Sequence, residues 1–78
     1  MYRVSLPERD YNEYFNKKEN AVKRAKELFT KCIYNDYWTG SIEKYNEEYG
    51  NYEEVMAEIE TGNFFDEWVT IEEIKTED

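Results

Sequence analysis

The stretch from Ser41 to Gly62, SIEKYNEEYGNYEEVMAEIETG, constrains the fold more than any other part of the chain. At about 100° per residue, Tyr45, Tyr49, Tyr52, Met56 and Ile59 share one narrow arc of a helix. Glu43, Glu47, Glu54 and Glu58 share another, centred about 170° from the first by the same geometry. One face can pack while the other holds a column of carboxylates in water. The pattern predicts one long helix or two collinear ones. Gly50 costs about 1 kcal/mol in a helix interior, and Asn51 followed by Glu54 has the form of a second N-cap. Ser41 caps the start and Gly62 the end.

The other elements follow from their own periodicities. Tyr2, Val4 and Leu6 alternate with Arg3 and Ser5 ahead of Pro7, which predicts a short half-buried strand. Residues 8–16, ERDYNEYFN, read as an ordered connection, with Tyr14 and Phe15 lying against the body. Asn16 or Asn20 can cap a helix that runs to about Tyr34. Its apolar side is Ala21, Val22, Ala25, Leu28, Phe29, Cys32 and Ile33, inside an arc of roughly 120°. Lys23, Arg24, Lys26, Glu27 and Lys31 lie outside it. NDYWTG reads as a loop, in which Tyr37 and Trp38 are either a core lid or a recognition tip; a short strand over Ile33 to Trp38 is the other parse.

After Gly62, Phe64 and Phe65 are expected to anchor a corner. Val69 and Ile71 then alternate with Trp68 and Thr70 in a second strand, which bulges or ends near Glu73. The expected architecture is a single small acidic α+β domain over residues 1–78, a β-α-α-β unit with two helices packed on one face of a short sheet. Its N-terminal and C-terminal strands are neighbours. A two-stranded sheet is marginal alone, so helix cover, a third strand or a homodimer is needed.

Charge narrows the function. The chain carries −9 overall, and unevenly. Residues 1–35 hold eight basic and five acidic side chains, a balance of +3, and residues 36–78 hold two and fourteen, a balance of −12. Such a surface is repelled by nucleic acid and by anionic membranes, and it meets basic surfaces quickly. A single cysteine favours a reducing compartment, and no long apolar run or signal peptide is present, so the cytoplasm is expected (host cytoplasm if the chain is phage-encoded).

Catalytic chemistry finds little to work with. There is no histidine; Cys32 sits in an apolar arc; Ser5 and Ser41 have no base to activate them. Adjacent carboxylates are too common here to mark an acid–base pair. No calcium loop, zinc set or phosphate loop occurs. No catalytic residue, metal ligand or cofactor is therefore expected, and the chain reads as a binding protein.

From Glu43 to Glu60 a continuous helix would span about 27 Å and carry one net negative charge per ~4.5 Å, against one per ~3.4 Å along a DNA strand. The candidate partner-binding residues are the column Glu43, Glu47, Glu54 and Glu58, with Glu48, Glu53, Asp66 and Glu67 flanking it and Tyr37 and Trp38 as aromatic anchors. The plainer interpretation is a solvated helix face. In the acidity of EKYNEEYGNYEEVMAEIE and FFDEW, the chain resembles the small phage-encoded inhibitors of bacterial defence: anti-CRISPR proteins, anti-restriction DNA mimics and uracil-DNA glycosylase inhibitors. That resemblance implies binding to a defence complex at its nucleic-acid groove or at another functional surface. The leading expectation is a stoichiometric inhibitor that competes with nucleic acid for the basic groove of a nucleic-acid-binding protein or complex. The rival reading is a non-mimic interaction module, an antitoxin or small assembly subunit, binding through Tyr37, Trp38 and Phe64. Between them stands the question whether the basic first helix folds onto the acidic one and neutralises it.

Overall fold

The computed structural model describes residues 1–36 and 40–75, with the backbone alone at 35 and 36. It begins with a β-hairpin. Strand β1 (Tyr2–Leu6) pairs antiparallel with β2 (Tyr11–Phe15), Tyr2 opposite Phe15 and Leu6 opposite Tyr11. Pro7 starts a single 3-10 turn, Pro7–Arg9, and Asp10 closes the hairpin at φ 53°, a left-handed conformation that Asp tolerates better than most residues. Residues 8–16 are thus not a connection but a turn and a strand. Alternation fails to reveal β2 because both of its faces mix rings with polar groups. Tyr11, Glu13 and Phe15 share the face of Val4, while Asn12 and Tyr14 share the face of Arg3. Phe15 packs against the core as expected, whereas Tyr14 stands 55% exposed.

Helix α1 (Lys18–Lys31) starts from an extended Lys17, whose carbonyl accepts the Ala21 N–H at 3.2 Å. Neither Asn16 nor Asn20 supplies the cap; Asn20 is already inside the helix. The apolar arc is as expected: Ala21, Ala25, Leu28 and Phe29 are buried, and a π-helical turn, Cys32–Asp36, continues the element with Cys32 and Ile33 buried too. Tyr37 and Trp38 lie outside the described residues.

Helices α2 (Ile42–Glu48) and α3 (Tyr52–Glu60) follow, then strands β3 (Phe64–Phe65) and β4 (Thr70–Glu73). The sheet order is β2-β1-β4-β3, with every pairing antiparallel. The fold is α+β and its terminal strands are neighbours, Val4 facing Ile71 across the β1–β4 seam. Each terminal strand also brings its own hairpin partner, so among the described residues the sheet has four strands where two were expected, and the Ser41–Gly62 stretch forms two helices in place of the single one in the β-α-α-β unit. This removes the marginality of an isolated strand pair.

The helices cover the face that carries Val4, Ile71 and Phe64, all buried around Phe29, Ile33, Ile59 and Val69. The other face bears the Arg3–Glu72 ion pair, Tyr14 and Phe65. Of the two corner phenylalanines only Phe64 anchors; Phe65 is 66% exposed, because consecutive strand residues point to opposite faces. Polar latches tie α1 to its neighbours. Arg24 Nε donates to Glu13 on β2 at 3.1 Å, Lys26 Nζ to Glu60 on α3 at 2.5 Å, and the hydroxyls of Thr30 and Tyr52 meet at 2.7 Å. Hydrogen bonds from Tyr11 and then Arg24 hold the Glu13 carboxyl below the usual carboxylate range.

Candidate functional site

Two caps build the acidic surface. Ser41 Oγ accepts the Lys44 N–H at 3.2 Å and starts α2. Asn51, extended at φ −113° and ψ 112°, accepts the Glu54 N–H at 3.1 Å and starts α3. Between them Asn46 reaches forward to accept the Tyr52 N–H at 2.8 Å. Side chains therefore satisfy two N–H groups that the first turn of α3 would otherwise leave open. The break at Gly50-Asn51 is a full stop and restart. Helical phase does not pass through an extended residue, so the predicted column is two separate i,i+4 pairs, Glu43/Glu47 on α2 and Glu54/Glu58 on α3.

The tyrosine arc divides as well. Tyr45 and Ile59 are buried and Tyr52 and Met56 pack partly, while Tyr49, beside the break, is 57% exposed.

All six glutamates of this set, Glu43, Glu47, Glu48, Glu53, Glu54 and Glu58, are exposed. None of them makes an ion pair among the described residues. The charges that do pair draw on other acids. Arg24 takes Glu13 and Glu27, Lys26 takes Glu60, and Arg3 takes Glu72. The basic helix thus contacts α3 but neutralises only its last residue; Lys26 holds the Glu60 carboxyl below its usual range by hydrogen bond and charge.

Placement adds to the case. Glu53 and Glu54 sit in the first turn of α3, where the helix dipole favours them. Glu47, Glu48 and Glu58 sit near the C-terminal ends of α2 and α3, where it disfavours them, and neither last turn holds a basic residue.

Asp66 and Glu67 occupy the four-residue turn between β3 and β4. Asp66 Oδ2 accepts the Trp68 N–H at 3.1 Å, and its carbonyl accepts the Thr70 hydroxyl at 3.2 Å. This turn folds Trp68 back onto Phe29 and Tyr45, at centroid separations of 5.4 and 5.6 Å. Asp66 and Glu67 consequently stand beside the end of α2, where Tyr45, Tyr49 and Trp68 complete a cup of about 230 Å³. Tyr45, Tyr49 and Trp68 were absent from the expected site. The only signal for Tyr45 and Tyr49 was their place in the tyrosine arc, and Trp68 carried none beyond its place in the strand alternation.

A further hollow, about 510 Å³, is an open groove over Val22 between α1 and α3, with Lys18, Glu19, Lys23, Lys26 and Glu60 on its walls. Two of its wall residues, Lys26 and Glu60, are already paired with each other. No set of three or more cysteines and carboxylates is arranged to hold a metal ion among the described residues, and no helix there is long and apolar enough to cross a membrane.

The chain matches no protein-family model, no curated protein and no solved structure. Its own geometry has to carry the functional reading.

Proposed function

We propose that this chain is a stoichiometric, non-catalytic inhibitor that occupies the basic groove of a nucleic-acid-handling bacterial defence complex, in the manner of an anti-CRISPR protein, within the bacterial cytoplasm. One observation carries the reading. Arg3, Arg24 and Lys26 pair with Glu13, Glu27, Glu60 and Glu72, while every glutamate of the candidate surface is exposed and makes no ion pair among the described residues. Three of those stand where the helix dipole opposes them. Carboxylates that return so little to stability are explained by a partner that supplies the cations. The arrangement offers two short acidic segments held by capped helices, a discontinuous imitation of a phosphate backbone.

The test is capture from a bacterial lysate on the immobilised protein, eluted with a salt gradient and identified by mass spectrometry. A nuclease or CRISPR complex released at moderate salt and displaced by DNA or RNA is the expected result. Replacing Glu43 and Glu47, or Glu54 and Glu58, with lysine should abolish the capture without unfolding the protein. Capture unchanged by either reversal rejects the inhibitor reading.

A second reading has support on the opposite side of the molecule. Phe65 and Tyr14 are exposed on the uncovered sheet face, and they replace the buried Phe64 as anchors for a non-mimic interaction module. Capture by that face would resist salt and ignore nucleic acid.

A further inference from the structure

We infer that the cup between the end of α2 and the β3–β4 turn is a receptor for one guanidinium group, an arginine side chain of the partner. The inference deepens the proposed function and rests on it only for the source of the arginine. The walls are aromatic. Tyr45 and Tyr49 lie nearly parallel, 21° apart with centroids at 5.7 Å, and Trp68 meets Tyr49 edge-on at 5.4 Å. The lining is also acidic, with the exposed Glu67 and the partly buried Asp66. Asp66 uses Oδ2 to hold the turn, which leaves Oδ1 without a partner among the described residues.

The deciding feature is Tyr45. It is 7% exposed and lines the cup, yet its hydroxyl has no hydrogen-bond partner among the described residues. The ring is buried, but the hydroxyl oxygen is not sealed from solvent, so it stays open to a donor that enters the cup. Burial, and then the charge of Asp66, hold it in the neutral form, so its oxygen keeps lone pairs to offer a donor.

A guanidinium answers every part of this site at once. It is planar and stacks on aromatic rings, and its N–H groups form a fork that a carboxylate and a phenol oxygen can both accept. Lysine supplies a compact point charge with no plane to stack. A neutral ligand leaves two carboxylates uncompensated. The half-exposed Tyr49 ring offers such a group an open aromatic face.

The experiment is an NMR titration of the full chain with N-acetyl-arginine amide, read at the Trp68 indole N–H and at the amides of Tyr49, Asp66 and Glu67. N-acetyl-lysine amide and N-acetyl-citrulline amide, an uncharged isostere, run beside it. Saturable shifts confined to the cup are expected, with lysine several-fold weaker and citrulline about tenfold weaker or more. Tyr45→Phe and Glu67→Gln should each weaken arginine binding at least about threefold while the spectrum stays dispersed. Glu67 is exposed, so Glu67→Gln stands as the test even if Tyr45→Phe perturbs the fold. Equal response to citrulline or lysine, shifts spread along Glu43 to Glu58, or no effect of Glu67→Gln would each overturn the proposal. The two readings fail separately. Arginine binding without capture of a basic partner rejects the inhibitor and keeps the cup, and capture lost only by the helix reversals, with no arginine binding, does the opposite.

Discussion

Phe29 leaves α1 and meets Tyr45, Phe64 and Trp68 at centroid separations of 5.6, 6.1 and 5.4 Å, so a single ring joins three segments. Truncation to alanine removes those contacts and leaves a cavity, at a cost of about 3–5 kcal/mol. Small single-core domains hold little more than that in total, so Phe29→Ala should lose its cooperative urea transition by circular dichroism. Tyr45 makes the opposite prediction. With no partner for its hydroxyl, Tyr45→Phe should change stability at neutral pH by no more than about 0.5 kcal/mol. Its folded pKa lies above the ordinary 10.0, from burial first and Asp66 second. The folded state thus binds this proton more tightly than the unfolded chain. The contribution is complete below about pH 10 and is lost as pH rises through the folded value. Urea titrations on either side of that point should show a shallower alkaline decline for Tyr45→Phe than for the parent.

The elements turn on two glycines of contrasting meaning. Gly62 ends α3 at φ 85°, donates its N–H to the Ile59 carbonyl at 3.0 Å, and has Tyr2 and Lys18 side-chain atoms 3.2 Å from where a Cβ would sit. Gly62→Ala meets both backbone strain and crowding, and should cost about 1–2 kcal/mol in denaturant unfolding. Gly50 lies at the break between α2 and α3 with nothing within 4 Å of an added Cβ. Gly50→Ala should therefore be neutral or stabilise by up to about 1 kcal/mol, through the unfolded state. In sequence both glycines sit at helix punctuation; the space around them separates their roles. The restart itself belongs to Asn51, and Asn51→Ala should cost about 1 kcal/mol while melting α3 rather than α2 by residue-resolved amide exchange.

Across the whole molecule, the charge of −9 is spread unevenly: residues 1–35 carry +3, with Arg24 and Lys26 of α1 in ion pairs. Residues 36–78 carry −12, and the glutamates of α2 and α3 other than Glu60 make no ion pair among the described residues. Unpaired like charges repel, and salt screens them. Raising NaCl from about 20 mM to about 0.5 M should lift the thermal midpoint by several degrees, whereas it should weaken attachment to any basic partner. Both slopes come from the same glutamates, and both should shrink together in the charge-reversal variants. Much of this organisation was legible before the chain was folded. The helical arc from Ala21 to Ile33, the caps at Ser41 and Asn51, the stop at Gly62 and the alternation of the first and last strands all follow from local rules, because each depends on residues a few positions apart. That those two strands pair was expected from the need of each for a neighbour, a tertiary argument. Strand β2 was not legible, since Glu13 takes a core-facing position only when Arg24 arrives from α1 to neutralise it. The column of Glu43, Glu47, Glu54 and Glu58 was read as continuous, because its phase was carried through a residue whose extended backbone resets it. The cup was invisible for a different reason. Tyr45, Tyr49, Asp66, Glu67 and Trp68 come from two segments separated by a whole helix, and only the β3–β4 turn brings them to one place. Sequence alone determined which surfaces are apolar, acidic or basic, since these are properties of side chains at fixed periodicity. Tertiary structure decided which charges meet, and therefore which carboxylates remain for a partner.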